Sequence, residues 1–243
     1  TITLITRGAY RELLPDNLRS VHLIDLDTPR ALPLFAPSPS HAQGARDLLA
    51  MSWVCAFTRP DPELTDWWTA CGAQRIDWLD PRPDRPPHVV AQWLDALGFP
   101  APALPMDPQW PRPSTPGNAL WCHPGSGSPQ KNAPLQWFVQ QVNRLGNGRG
   151  QPVIASFGEA DLALVDPITV AMEAAGHTVI PLILPKLGNL RERLRTEARH
   201  FVGNDSGVTH LAAALGIPLT VWFSTTDPKI WHPLGAWQSP QPS

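Results

Sequence analysis

Short apolar runs alternate with stretches of helical spacing along the first hundred residues. Four runs have the length of a β-strand: Ile2 to Ile5, Val21 to Ile24, Trp53 to Phe57 and Ile76 to Leu79. In three further stretches, apolar residues recur three and four positions apart, as in a helix that packs on a sheet: Ala42 to Ala50, Pro62 to Cys71 and Pro87 to Leu97. This alternation predicts βα units and a first domain over residues 1–98.

The alternation returns after a proline-rich segment. Residues 99–118 (FPAPALPMDPQWPRPSTPGN) hold too many prolines for a helix or a central strand, so we predict an interdomain linker there. A second α/β domain is predicted over residues 119–243, with strands at Ala119 to His123, Pro152 to Phe157, His177 to Leu182, Phe201 to Val202 and Leu219 to Phe223. Its predicted helices are Leu135 to Leu145, Asp161 to Ala175, Leu190 to Ala198 and Val208 to Leu215. Parallel strands of this kind bind ligands in the loops at their carboxyl ends, where we therefore expect a site.

Composition narrows the class of protein. Hydrophobic residues make up 42% and charged residues 16% of the 243 residues, which is enough apolar material for a packed core. The net charge of −2 gives no overall attraction to nucleic acid. No apolar run approaches the roughly 18–20 residues of a membrane span, and the first residues lack a charged signal-peptide start, so we expect a cytoplasmic protein. Three cysteines without CxxC spacing indicate neither a disulfide framework nor a zinc site.

The segment His200 to Gly216 (HFVGNDSGVTHLAAALG) predicts a strand that ends directly at the start of a helix. A helix N-terminus offers unpaired N–H groups and the positive end of the helix dipole to an anion, and Ser206 and Gly207 leave room for a phosphate. Asp205 and Ser206 are also ordinary helix-capping residues. Capping and phosphate binding are compatible, and both interpretations stay open.

The segment Trp121 to Pro134 (WCHPGSGSPQKNAP) predicts a strand followed by a loop rich in Gly and Ser. It lacks the GxxxxGK[ST] order of a P-loop, which argues against a nucleoside triphosphatase. Free amides and hydroxyls beside Lys131 suit a diphosphate, whereas an ordinary solvated turn is the alternative.

In this order the two segments resemble the C-terminal domain of glycosyltransferase family 9, the ADP-heptose:lipopolysaccharide heptosyltransferases. The resemblance covers about Leu120 to Leu234 and includes the stretches HPGSGSPQKNAPLQWF, SFGEAD, LPKLGNL and GNDSGVTHLAAALGIPLTVWFSTTDPKIWHPLG. It implies an α/β, GT-B-like fold of two Rossmann-like domains with parallel sheets, the N-terminal one abbreviated. It also implies a glycosyltransferase that moves a sugar, a heptose, from a nucleotide diphosphate donor such as ADP-heptose to a lipid-linked, lipopolysaccharide-type saccharide acceptor. No cofactor and no metal are expected, nor any nucleic-acid partner, and membrane contact is expected to be at most peripheral, at the inner membrane.

The resemblance also implies which residues bind the nucleotide-sugar donor. Ser126 and Gly127 would face the diphosphate, which Lys131 would neutralise. Glu159 would hold ribose hydroxyls and Leu187 would line the adenine pocket. Asp205 would bind hydroxyls of the transferred sugar. The remaining residues, which would lie near the phosphates, are Ser206, Gly207, Val208 and His210. Each has a simpler alternative: Glu159 as a solvated helix charge, His210 as a packed histidine and Leu187 as plain core.

The first half resembles the acceptor-side domain of the same family, with one departure. Family members open with an earlier strand and a GD turn whose Asp is the proposed catalytic base, and the turn Arg7-Gly8-Ala9 has the glycine without the acid. Asp16, Asp25 and Asp27 are carboxylates of this half, but their spacing selects none, so no catalytic residue is assigned. Two alternatives to an active transferase remain open: a nucleotide-sugar-binding homologue without turnover, and a nucleotide-sugar epimerase.

Overall fold

The computed structural model describes residues 2–15, 21–103, 106–108, 110, 112–115, 117–146 and 152–239. By their contacts the chain divides into two units, Thr1–Ala101 and Pro102–Ser243. Both contain parallel β-strands connected through helices, which confirms the predicted α/β class with parallel sheets.

The first unit contains two separate parallel pairs of strands. Its elements are β1 (Thr3–Thr6), β2 (His22–Asp25), α1 (Leu32–Phe35), α2 (Ala42–Leu49), β3 (Trp53–Ala56), α3 (Pro62–Ala70), β4 (Arg75–Trp78) and α4 (Val89–Leu97). Strand β1 pairs with β2, and β3 pairs with β4. Ile5 of β1 and Val54 of β3 pack against one core of buried residues: Leu34, Ala45, Leu49, Ala56, Trp68 and Cys71. The two pairs therefore share a core without forming one sheet among the described residues.

Local sequence explains where the helices of this unit begin and end. Asp61 caps α3 by accepting a hydrogen bond from the Leu64 amide at 3.1 Å, and Pro62 supplies the first helical residue without losing a needed donor. Gly98 ends α4 in the left-handed conformation, with φ of 81°, which glycine adopts without steric cost.

The second unit is built on one continuous sheet. Its elements are β5 (Ala119–His123), α5 (Leu135–Leu145), β6 (Pro152–Phe157), α6 (Val165–Ala174), β7 (Thr178–Ile183), α7 (Leu187–Glu197), β8 (Ala198–Asn204), α8 (Gly207–Ala214), β9 (Leu219–Trp222), α9 (Pro228–Trp231) and β10 (Trp237–Gln238). Six parallel strands follow the order β10-β9-β8-β5-β6-β7. The chain thus adds β6 and β7 on one side of β5, and then β8, β9 and β10 on the other side.

The central strands are buried because helices cover them. All five residues of β5 are buried. Phe138 and Val142 of α5 share one core cluster with Phe157 of β6 and Met172 of α6. A run of apolar residues without alternation is typical of a parallel strand covered on both faces. This packing fixes the carboxyl ends of β5 and β8 side by side.

Two sequence predictions need correction in this unit. The helix predicted over Asp161 to Ala175 begins as a 3₁₀ turn over Glu159–Leu164, and α-helix starts only at Val165. The reason is that the Asp161 carboxylate accepts the Gly158 amide at 3.0 Å, which favours a tight turn. Strand β8 is seven residues long, whereas only Phe201 and Val202 were predicted.

Two residues of the predicted linker, Met106 and Gly117, are bonded to other residues of the second unit. The Met106 amide donates to the Leu234 carbonyl at 2.7 Å, and the Gly117 amide donates to the Thr196 carbonyl at 2.7 Å. The predicted bounds 1–98, 99–118 and 119–243 stay a prediction.

Candidate functional site

The candidate site lies where the strand order of the second sheet reverses. Strands β5 and β8 are neighbours, with His123 in register with Gly203, and each is followed directly by a loop. In open parallel sheets the crevice outside the carboxyl ends of such strands is the usual place for a ligand. The two segments singled out in the sequence are these two loops.

Asn204 ties the two loops together. This residue is fully buried, and its amide nitrogen donates to the Pro124 carbonyl at 2.8 Å and to the Gly125 carbonyl at 3.2 Å. Its amide oxygen accepts the Ala133 N–H at 2.8 Å. A buried carboxamide with both ends bonded holds its partners in one geometry. The loop after β5 is therefore fixed from the end of β8, a role that the sequence analysis missed.

The hydroxyl of Ser126 is engaged inside its own loop. It lies 2.6 Å from the Ser128 carbonyl and 2.7 Å from the Asn132 amide oxygen, both of which can accept its hydrogen. At Gly127, by contrast, no described residue other than its chain neighbours comes within 4 Å of the position that a Cβ would take. The loop thus presents open space at Gly127, beside a serine whose hydroxyl stabilises the turn.

Lys131 and Asp205 form an ion pair across the two loops. The Lys131 Nζ lies 2.8 Å from Asp205 Oδ2, and the side chain of Asp205 is only 8% exposed. The Thr226 hydroxyl donates to the same oxygen at 2.8 Å, and His210 Nε2 lies 3.5 Å from Oδ1. Burial alone would raise the pKa of Asp205, but hydrogen bonds from His210, Lys131 and Thr226 outweigh it and lower that pKa to about 2. Asp205 is therefore an ionised carboxylate that already has a cationic partner in Lys131.

Helix α8 begins beside this ion pair. The hydroxyl of Ser206 accepts the Thr209 amide at 3.4 Å, so Ser206 caps the helix, as one of the two interpretations predicted. Apart from its chain neighbours and its own helix, no described residue comes within 4 Å of the position that a Cβ would take at Gly207, so there is open space beside the helix start. His210 is 42% exposed at its side chain and is not a packed core histidine. The first turn of α8 therefore offers open backbone and a partly exposed imidazole near Lys131.

Three further predicted residues line one cavity of about 240 Å³: Glu159, Leu187 and Val208. Its other walls are mostly apolar and are formed by His123, Ser156, Phe157, Gly158, Leu184, Pro185 and Leu190. Leu187 is the first residue of α7 and is only partly buried, so it is a wall residue rather than plain core. The cavity fits an apolar ring system whose edge meets a few polar groups.

The predicted residues therefore form two neighbouring sets. The charged set contains Lys131, Asp205 and His210, next to the loop of Ser126 and Gly127 and the helix start at Ser206 and Gly207. The cavity set contains Glu159, Leu187 and Val208. Val208 belongs to the first turn of α8, so this turn touches both sets. Their role in binding stays a prediction.

Sequence reasoning missed two buried residues behind the site, His123 and Asp161. A side chain at Gly125 would overlap the Asp161 carboxyl group, so only glycine fits there. The one available signal for His123 was its position directly after the apolar run of β5, and Asp161, four residues after Phe157, carried no comparable signal.

The structure does not select a catalytic base. Asp16 lies outside the described residues, and Asp25 accepts the Asp27 amide at 3.1 Å in a tight turn after β2. Among the described residues, His, Cys, Asp and Glu do not gather in groups of three that could hold a metal ion. Within the same part of the chain no helix is long and apolar enough to cross a membrane.

Comparison with known proteins gives a family and a fold. Residues 119–239 match the profile of the family described as glycosyltransferase family 9 (heptosyltransferase). No sequence among curated proteins matches the chain.

Several solved structures share the fold at low sequence identity. A glycosyl transferase of family 9 from Veillonella parvula has a TM-score of 0.66 and 15% identity, over 100% of this chain and 78% of its own. The ADP-heptose lipopolysaccharide heptosyltransferase II of E. coli has a TM-score of 0.67 and 17% identity, over 98% and 80%. An E. coli heptosyltransferase solved with ADP has a TM-score of 0.58 and 15% identity, over 95% and 80%.

Proposed function

The chain belongs to glycosyltransferase family 9, and we propose that it transfers a heptose from ADP-heptose to a lipid-linked, lipopolysaccharide-type acceptor. The observation that carries this proposal is the pairing of an anion-compatible helix start with an apolar cavity at the switch point of one parallel sheet. A nucleoside diphosphate sugar needs both kinds of surface. We place the reaction at the cytoplasmic face of the inner membrane.

In this proposal the nucleoside occupies the cavity. Leu187 and Val208 would contact the base, and the Glu159 carboxylate would accept ribose hydroxyls. The walls suit this use because apolar side chains bury a base while a few polar groups fix its orientation.

The diphosphate would then lie across the start of α8. Glycosyl transfer releases a nucleoside diphosphate, so negative charge grows on the bridging oxygen as the sugar leaves. Lys131, His210 and the free amides at Gly207 and Val208 are groups that would offset this charge. Because Asn204 holds the backbone of the loop that carries Lys131, and Asp205 holds the Lys131 side chain, this cation needs little reorganisation during the reaction.

Asp205 has a double role in this proposal. Its carboxylate holds Lys131 in place, and its remaining acceptor capacity is available to hydroxyls of the transferred sugar. When the diphosphate binds, Lys131 would be shared between the Asp205 carboxylate and a phosphate oxygen. The ion pair thus positions the cation before the donor arrives.

The test is turnover of ADP-heptose with and without a lipid-linked saccharide acceptor. A transferase releases ADP and lengthens the acceptor only when both substrates are present. Conversion of ADP-heptose without acceptor would show an epimerase instead. Saturable binding of the donor with neither conversion nor transfer would show a binding homologue, an alternative that remains relevant because no catalytic base is assigned.

A further inference from the structure

The hydrogen-bonding state of His123 is set by its neighbours. The side chain is 5% exposed and lines the cavity. Its Nδ1 lies 2.8 Å from the Ser156 carbonyl oxygen, which can only accept, so Nδ1 carries a hydrogen. The same nitrogen lies 3.1 Å from the Ser156 hydroxyl, which also accepts the indole N–H of Trp121 at 2.9 Å. Nε2 is therefore the ring nitrogen that remains for a ligand.

Nε2 faces another acceptor. It lies 3.8 Å from Oδ2 of Asp161, which is 5% exposed and already accepts the Gly158 amide at 3.0 Å. Burial lowers the pKa of His123, and this effect is larger than the opposing effects of the Asp161 charge and the Ser156 carbonyl, so the ring is neutral near pH 7. Within the described residues, no group is placed to donate a hydrogen to Nε2. Because His123 lines the cavity, a ligand that fills it and brings no donor to Nε2 would leave this acceptor unpaired, which is costly.

We propose that Nε2 of His123 accepts a hydrogen bond from an O–H or N–H group of the bound nucleotide and thereby helps to select it. This inference rests on the proposed function, because it needs a nucleotide in the cavity. Two groups of an adenine nucleotide could supply the hydrogen, a ribose hydroxyl or the exocyclic amine of the base. Either would satisfy the acceptor at Nε2, for which the nearby Asp161 carboxylate offers no hydrogen.

An acceptor of this kind discriminates strongly between nucleotides that can donate a hydrogen to it and nucleotides that cannot. A nucleotide that lacks the donating group leaves Nε2 buried and unpaired, and this costs more than the loss of an exposed contact. His123 is in this account a specificity-determining residue and takes no part in bond breaking.

The experiment is calorimetric titration of the full chain with four nucleotides. ADP carries all candidate donors, 2′-deoxy-ADP and 3′-deoxy-ADP each lack one ribose hydroxyl, and inosine diphosphate lacks the exocyclic amine. The group that meets Nε2 is identified by the analogue that binds about tenfold more weakly than ADP to the wild type but as well as ADP to His123→Asn, because a ribose hydroxyl lost only from Glu159 would weaken binding to both proteins.

Two variants separate this contact from a structural role. His123→Asn keeps an N–H at the position of Nδ1 for the Ser156 carbonyl but has no atom at Nε2. His123→Gln reaches the Nε2 position with an amide oxygen that can accept. We expect His123→Asn to weaken ADP binding about tenfold while leaving the identified analogue unaffected, and His123→Gln to recover most of the affinity for ADP.

Other outcomes overturn the inference. An unchanged affinity of His123→Asn for ADP would show that Nε2 makes no contact, and equal losses for all four nucleotides would show a structural role. In both cases the wild-type chain still binds ADP, so the proposed function survives. If the wild-type chain binds none of the four, the proposed function and this inference fail together.

Discussion

The two units use the same βα alternation and differ in what it builds. In the second unit six parallel strands join into one sheet, and the central strands β5, β6 and β8 are almost completely buried. In the first unit two pairs of strands share a core but remain separate, and β1, β3 and β4 are half-exposed.

The two units also differ in how firmly their polar side chains are held in place. The charged groups at the switch point are held by Asn204 and Asp205, which are buried at the end of a continuous sheet. Nothing comparable fixes Asp25 in the first unit, where the carboxylate follows a two-stranded sheet and accepts only a local amide among the described contacts. Burial of polar groups in a rigid frame, rather than the strand pattern itself, distinguishes the unit that holds the candidate donor site from the other unit.

The largest expected difference concerns one core residue of the second unit and one half-exposed residue of the first. Phe138 in α5 is fully buried, whereas Phe99 is 50% exposed and stacks on Trp53 in the first unit. We expect Phe138→Ala to lower the free energy of unfolding by about 3–5 kcal/mol and Phe99→Ala to lower it by about 1 kcal/mol or less. Urea unfolding followed by circular dichroism measures both. Equal losses of unfolding free energy in the two variants would contradict the difference in burial between Phe138 and Phe99.

A smaller effect is expected from the titration of Asp205. Its pKa is about 2 in the folded chain and 3.8 for a free carboxyl, so the ionised form contributes about 2 kcal/mol of stability. Because the folded pKa is depressed, this contribution is present above about pH 4 and is lost as the pH falls towards 2. The Asp205→Asn variant cannot titrate at this position, and its stability should fall less steeply over this range. Parallel acid-unfolding curves of the two proteins would contradict the account.

The smallest effect is expected at Thr226. Thr226→Val removes one of the hydrogen bonds to Asp205 and leaves Lys131 in place, so we expect affinity for ADP to fall by no more than about fivefold. Ser224→Ala is the matched control, because the exposed Ser224 hydroxyl donates to the Gln130 carbonyl rather than to Asp205. Calorimetric titration with ADP compares them. A loss of binding in the control alone would mean that ADP binds nearer to Ser224 than to Asp205.

The sequence predicted the second unit better than the first because its signals are local. Strands β5 and β6 and helix α5 have the predicted bounds, since long apolar runs and a strongly amphipathic stretch mark them. The start of α6 was predicted wrongly because the Asp161 side chain competes for a backbone amide. The separation of β1–β2 from β3–β4 depends on contacts between distant residues, which periodicity does not report.

The same limit applies to the site. Lys131 and Asp205 were each predicted as donor-binding residues, but their ion pair joins positions 74 residues apart and no local pattern encodes it. Ser126 was predicted to face the donor diphosphate, which stays a prediction, and no local pattern indicated that its hydroxyl is bonded within its own loop. His123 and Asn204 were missed because their importance comes from burial and from the partners that folding brings to them.

The most direct test of the central claim is calorimetric titration with ADP of the wild-type chain, Lys131→Ala and, as control, Arg75→Ala. Arg75 lies over the Trp53 ring in the first unit and should not affect the site. We predict saturable one-to-one binding by the wild type and the control, and binding at least about tenfold weaker by Lys131→Ala, as expected when a charge-assisted contact to phosphate is lost. Equal affinity of Lys131→Ala and the wild type would contradict a diphosphate site at the switch point of the second sheet.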